Sequence, residues 1–169
     1  MKKLLLLLIL TVAPVTARAQ FVRHTQGCGE VKANDDVVCI FGATTDTGIL
    51  DGSRSGFLTL TIRPTRIASG ASFCTLPYEE LPTLIQTLQY AKVNPPSNGE
   101  DESTRIIFRA QNLLEFSCDI GYGKNPETSI SVSPNTPGIG AKIPWARIDE
   151  VITVLGKCME VLDAHCAGN

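Results

Sequence analysis

Histidine is nearly missing from this sequence. The two present, His24 and His165, lie near the ends of the chain once a leader is set aside. No CxxC pair occurs, and the closest cysteines, Cys158 and Cys166, stand eight residues apart. The ligand spacing of a structural zinc site is therefore missing. No GxSxG elbow occurs, so the turn that presents a catalytic serine in α/β-hydrolases is missing too. Serine itself is too plentiful for one to stand out as a nucleophile. Gly138 and Gly140, in PGIGAK, form neither GxGxxG nor a phosphate-binding loop, and turn chemistry accounts for them. Asp46 and Asp51 in TTDTGILDGS, and Glu100, Asp101 and Glu102 in NGEDES, do not follow EF-hand spacing. The sequence thus nominates no catalytic residue, no metal ligand and no cofactor.

What it does carry begins at the N-terminus. Lys2 and Lys3 precede an apolar run from Leu4 to Leu10, and Ala17-Arg18-Ala19 offers small residues at both positions that a signal peptidase reads. Pro14 and Thr16 cut the run short of the roughly 20 apolar residues that span a bilayer. Residues 1–19 therefore read as a secretory signal peptide cleaved after Ala19, with Gln20 as the mature N-terminus. No cysteine stands at the cleavage point to take a lipid, the nearest being Cys28. The expectation is an exported protein, periplasmic or extracellular, with no stable membrane anchor after cleavage. Of 15 basic residues, Lys2, Lys3 and Arg18 leave with the leader, so 12 face 17 acidic ones, a net charge of −5. That balance argues against nucleic acid as a partner, because phosphate neutralisation dominates such binding. It also leaves no polybasic patch for anionic lipid.

Cys28, Cys39, Cys74, Cys118, Cys158 and Cys166 all lie beyond the leader. An even number of cysteines in an exported chain reads as disulfides, and six allow 15 pairings among which spacing does not choose. One pairing is conditional. If the last helix runs unbroken through Cys166, then Cys158 and Cys166 are about 12 Å apart along its axis. A disulfide needs Cα atoms within about 7 Å.

Periodicity organises the rest. Residues 20–36 are polar and aperiodic, a lead-in. Val37 to Phe41 is a short apolar run, and residues 42–56, rich in Gly, Thr, Ser and Asp, read as a loop. FLTLTIR, from Phe57 to Arg63, alternates cleanly and predicts a half-buried strand, and residues 71–76 predict another. A helix follows Pro77 with Leu81, Leu84, Ile85 and Leu88 in one apolar stripe. Residues 94–103 form an acidic linker. Three further strands are predicted over residues 104–110, 113–122 and 128–133. A second helix then carries Ile148, Val151, Ile152, Leu155, Met159 and Leu162.

Both helices begin alike. LPYEELPTLIQTL (Leu76 to Leu88) and IPWARIDEVITVL (Ile143 to Leu155) share aliphatic-Pro-aromatic entries, Pro77 with Pro144 and Tyr78 with Trp145, 67 residues apart. The repeat predicts one strand-to-helix corner built twice, each aromatic plugging the corner. It implies an internal β…βα duplication with half-repeats at about 37–93 and 104–165 of a single α+β domain. The expected fold, over residues 37–169, is a mainly antiparallel sheet of about six to eight strands, or two abutting sheets, with two amphipathic helices packed on one face, one helix per half covering the strand layer. In element order, leader and cysteine content, the chain resembles small exported bacterial proteins with repeated strand-and-helix halves, a resemblance that implies no activity.

Arg63, Arg105 and Arg109 lie on the polar faces of predicted strands. If those strands are neighbours, the three would form a patch able to hold an acidic ligand. The functional expectation is a disulfide-stabilised, non-catalytic binding or interaction module whose partner is a protein or small ligand. An exported hydrolase with an unrecognised site is the alternative.

Overall fold

The computed structural model describes residues 20–34, 36–65, 70–97, 104–120, 128–134 and 140–166. The expected leader, Glu100, Asp101, Glu102 and Gly138 lie outside these residues. Among the described residues the first half forms β1 (Phe21–Lys32), β2 (Val37–Gly48), β3 (Arg54–Pro64), β4 (Ser72–Pro77) and α1 (Leu81–Val93). The second forms β5 (Ile106–Arg109), β6 (Glu115–Ile120), β7 (Thr128–Ser133), β8 (Ala141–Pro144) and α2 (Ile148–Cys166). The fold is α+β, and the element order repeats. The strands do not join into one sheet of six to eight, and the alternative of two sheets holds. They form two four-stranded antiparallel meanders, β1-β2-β3-β4 and β5-β6-β7-β8.

The edges show why the sheets stay apart. β4 and β8 each form one edge of their sheet, and each ends in a proline with no N–H to give. A hairpin turn, rather than a strand, meets each edge. The Asn112 amide, in the β5–β6 turn, donates to the Thr75 carbonyl of β4 at 2.5 Å. The Asn34 backbone N–H, in the β1–β2 turn, donates to the Lys142 carbonyl of β8 at 2.7 Å. Thr75 and Lys142 are 67 positions apart, the offset of the corner motif. Both turns also hold a residue at positive φ, Asp36 at 55° and Leu113 at 67°.

The corners match in detail. Pro77 and Pro144 take φ/ψ of −53°/145° and −55°/139°, extended values that a proline ring favours. Each is followed by one three-residue 3-10 turn, Tyr78–Glu80 and Trp145–Arg147, and then by the helix. Tyr78 and Trp145 are half-buried against the core. Tyr78 also donates its hydroxyl to the Asp163 carboxylate on α2.

The helices then cross over. α1 packs on β5 and β6, and α2 packs on β1, β2 and β3, while the first 3-10 turn stays beside β3 and the second beside β7. Each half's helix therefore covers the other half's sheet. The helices also pack on each other, with Lys92 of α1 paired to Asp149 of α2. One hydrophobic cluster results, drawing Phe41, Leu58 and Leu60 from one sheet, Phe116, Ile130 and Ile143 from the other, and the stripes of both helices.

Two segments read from composition as irregular are strands. Residues 21–32 pair with β2, and most of the presumed loop 42–56 extends β2 and β3, leaving only residues 49–53 as a turn. Thr44, Thr45 and Thr47 are β-branched and suit a pleated surface, and the Thr25 and Thr44 hydroxyls are bonded at 2.9 Å. The turn is closed by Asp51, which accepts the Ser53 N–H at 3.0 Å and its hydroxyl at 2.8 Å.

α2 lies close on its sheet because two glycines let it. A Cβ on Gly29 of β1 would meet Val154 Cγ2 at 2.9 Å, and one on Gly56 of β3 would meet Leu162 Cδ2 at 2.7 Å. Gly29→Ala is therefore expected to lower stability by about 1–3 kcal/mol through overpacking. The loss should shrink in a Val154→Ala background when both are measured by denaturant unfolding. The crossing of the helices makes a second prediction. Residues 20–97 and 104–169, produced separately, should each lack a cooperative unfolding transition, since each sheet has lost its cover. A sharp thermal transition in either isolated half would contradict the crossover as the source of stability.

Candidate functional site

Among the described residues, the longest unpaired edge belongs to β1. It is a terminal strand of its sheet, with β2 on one side. The Gln20 carbonyl accepts the Ile49 N–H at 2.9 Å, so Gln20, Val22, His24 and Gln26 turn their backbone groups toward β2. Phe21, Arg23 and Thr25 turn theirs outward. Side chains from Phe21 to Gln26 are exposed. At the same end lies an apolar tip made by Phe21, Val22, Ile49 and Leu50, the last 82% exposed.

Arg23 stiffens this end. Its guanidinium makes two bonds of 2.8 Å to the Asp46 carboxylate on β2, and lies 4.9 Å from the Phe21 ring centroid and 5.2 Å from that of Phe57. The Arg23 hydrogen bond holds the Asp46 carboxyl below the usual aspartate range. Asp46 and Asp51, weighed above as oxygen ligands, are thus engaged by Arg23 and Ser53. The imidazole Nε2 of His165, at the end of α2, sits 3.3 Å from the Asp46 carbonyl. His24 is exposed on β1.

The three arginines singled out as a patch are not brought together. Arg63 lies on β3 in the first sheet, whereas in the second Arg105 directly precedes β5 and Arg109 is its last residue. These two share Glu115 of β6, Arg109 at 2.6 Å and Arg105 at 3.3 Å, and Arg105 also reaches Asp119 at 3.4 Å. Their charge is largely matched by two carboxylates. Arg105 borders a cleft of about 400 Å³ between the halves, with Asn34, Ser131, Ser133 and Lys142.

The cysteines are spread over both halves and are free thiols in this structure. Burial pushes the Cys39 thiol up to about 12, and those of Cys74 and Cys118 up to about 11. Cys158 is fully buried on α2, and burial first, then the nearby Cys28 thiol of β1, push its thiol up. α2 runs unbroken through Cys166, so the condition that separates Cys158 from Cys166 is met. Among the described residues no three His, Cys, Asp or Glu side chains converge to hold a metal ion, and no helix is long and apolar enough to cross a membrane.

No family model matches the chain, and no curated protein matches it.

Sequence reasoning missed the β1 edge because Phe21 to Lys32 lacks a buried alternation; only Val31 is fully buried. A signal was present in the exposed Phe21-Val22 pair beside a β-branched, threonine-rich partner segment. The Arg23–Asp46 pair yields a pH prediction. A carboxyl whose folded pKa is depressed stabilises above its unfolded value, near 3.9 for aspartate, and the contribution is lost as pH falls through the folded value. Asp46→Asn should therefore reduce stability at neutral pH, and the difference from wild type should close below pH ~4. Unfolding midpoints measured from pH 7 to pH 2 check this.

Proposed function

We propose that the chain is an exported, non-catalytic interaction module that takes up an extended segment of a protein partner along the outer edge of β1. The carrying observation is the outer edge of this 12-residue strand, unpaired among the described residues, where Phe21, Arg23 and Thr25 direct backbone donors and acceptors outward. Such an edge is a template for strand addition, in which main-chain bonds supply affinity and side-chain contacts supply selectivity. The apolar tip at Phe21, Val22, Ile49 and Leu50 adds a place for an apolar partner residue. Export, cleavage after Ala19 and disulfide formation belong to the same reading, supported by the leader pattern and the even cysteine number. We also read the halves as two copies of one β…βα unit. The matched proline corners, 3-10 turns and reciprocal turn-to-edge bonds support this.

The test compares proteins retained from the native envelope or secreted fraction by wild type and by Thr25→Pro. Proline at this outward position removes one edge donor and leaves the β1–β2 ladder bonds in place. The expected result is a partner retained by wild type, lost by at least tenfold with Thr25→Pro, and weakened with Leu50→Lys. Circular dichroism should show both variants folded. Equal retention by wild type and folded Thr25→Pro would sink the edge as the binding element.

A further inference from the structure

We infer that Cys28 and Cys158 form a disulfide that staples β1 to α2 and so joins the two halves covalently. The placement follows from the strand register. Gly27 pairs with Gly42 and Gly29 with Phe41, so Cys28 is the extra residue of a β-bulge with no partner on β2. A bulge re-aims the side chain it carries. Here Cys28, whose thiol donates to the Gln26 carbonyl at 3.7 Å, borders a cleft of about 470 Å³ with Gly29 and Glu30 of β1 and Asp149, Thr153 and Lys157 of α2. The neighbouring Gly29 is where α2 comes closest, against Val154. Cys158 lies one helical turn beyond Val154, on the same face of α2. Burial first, and then the neighbouring Cys28 thiol, push the Cys158 thiol up. The remaining cysteines lie elsewhere: Cys39 and Cys74 on strands flanking β3, Cys118 in the second sheet, and Cys166 near Gly56 at the end of α2.

The two thiols differ in access, which orders the chemistry. Cys28 is half-buried and borders an open cleft, whereas Cys158 is completely buried. The Cys28 thiolate attacks one sulfur of an exogenous disulfide, whether of a small molecule or a thiol–disulfide oxidase, and the other sulfur leaves as a thiolate. Cys158 then loses its proton and attacks the Cys28 sulfur of the mixed disulfide, expelling the second exogenous sulfur. Two electrons pass from the cysteine pair to the exogenous disulfide. The two protons given up by the cysteines end on the departing thiolates. The resulting bond closes a loop from residue 28 to residue 158, and long loops restrict the unfolded chain most.

The test needs neither a partner nor the native compartment, so it stands apart from the edge-binding reading. Reduced, folded protein is incubated with oxidised glutathione, quenched with N-ethylmaleimide, digested without reductant and mapped by mass spectrometry. The expected product is a peptide linked through Cys28 and Cys158, with the thermal midpoint raised by roughly 5–15 °C over the reduced form. Cys28→Ser should keep the reduced midpoint of wild type and lose the rise on oxidation. Cys158→Ala should lose the same linked peptide. Alkylation of both Cys28 and Cys158 after oxidation of folded wild type, or linkage of either to a different cysteine, would overturn the inference.

Discussion

Each sheet of this protein has one apolar face, and the helix that covers it belongs to the other half. That reciprocal cover is the constraint on which the rest depends. A four-stranded meander with Leu58, Leu60 and Ile62 on one side cannot remain in water uncovered, because the buried area is its main source of stability. Its own helix starts one 3-10 turn beyond its edge strand and departs toward the other sheet. Neither half can close its core first and dock afterwards. The single cluster running through both sheets and both helices is the packing consequence. The reciprocal bonds from Asn34 to Lys142 and from Asn112 to Thr75 are its polar counterpart at the sheet edges.

Much of this was legible in the sequence, and the part that was not has a physical reason. Strands and helices with a buried stripe were found because burial writes a period into the chain. FLTLTIR placed Leu58, Leu60 and Ile62, and the stripes Leu81/Leu84/Leu88 and Val151/Leu155/Leu162 placed both helices. The proline corners were found because they repeat. β1 escaped because most of it is exposed, and an edge strand is specified by backbone pairing that leaves little trace in hydropathy. The long end of β2 escaped because Thr and Gly were weighed as loop formers, although Thr beside a paired strand favours extension. The separation into two sheets and the crossing of the helices are long-range facts. An amphipathic helix records that it is covered on one side, and does not record by which sheet.

The arginines illustrate the same limit at the candidate site. Arg105 and Arg109 share a partner, Glu115, on the adjacent strand, two residues from Ser117, which also binds Arg105. What the sequence did not reveal was that β3 and β5 never become neighbours, so Arg63 has no part in that cluster. Tyr78 shows the converse. Its corner position was read from the repeat. Its bond to Asp163 on α2 depends on the crossing of the helices.

The bulge at Cys28 divides β1 into two lengths with different work. From Gly29 onward the strand lies under α2, with Val31 fully buried and Gly29 against Val154. From Phe21 to Gly27 it is exposed. Bulges break the ladder and increase local twist, which is one way proteins limit pairing at an edge. On the proposed reading, a partner strand running along β1 meets that break at Gly27, so the available edge spans seven residues, or roughly 23 Å at about 3.3 Å per residue. That length is enough to give register through alternate side chains and short enough to discourage open-ended stacking of copies. The Arg23–Asp46 pair, with the Arg23 guanidinium over the Phe21 and Phe57 rings, ties the free end to β2. A pre-ordered edge loses less conformational entropy when a partner strand is added. The same bulge that ends the exposed edge also places Cys28 beside α2, so the staple and the binding edge, both as proposed, would be set by one inserted residue.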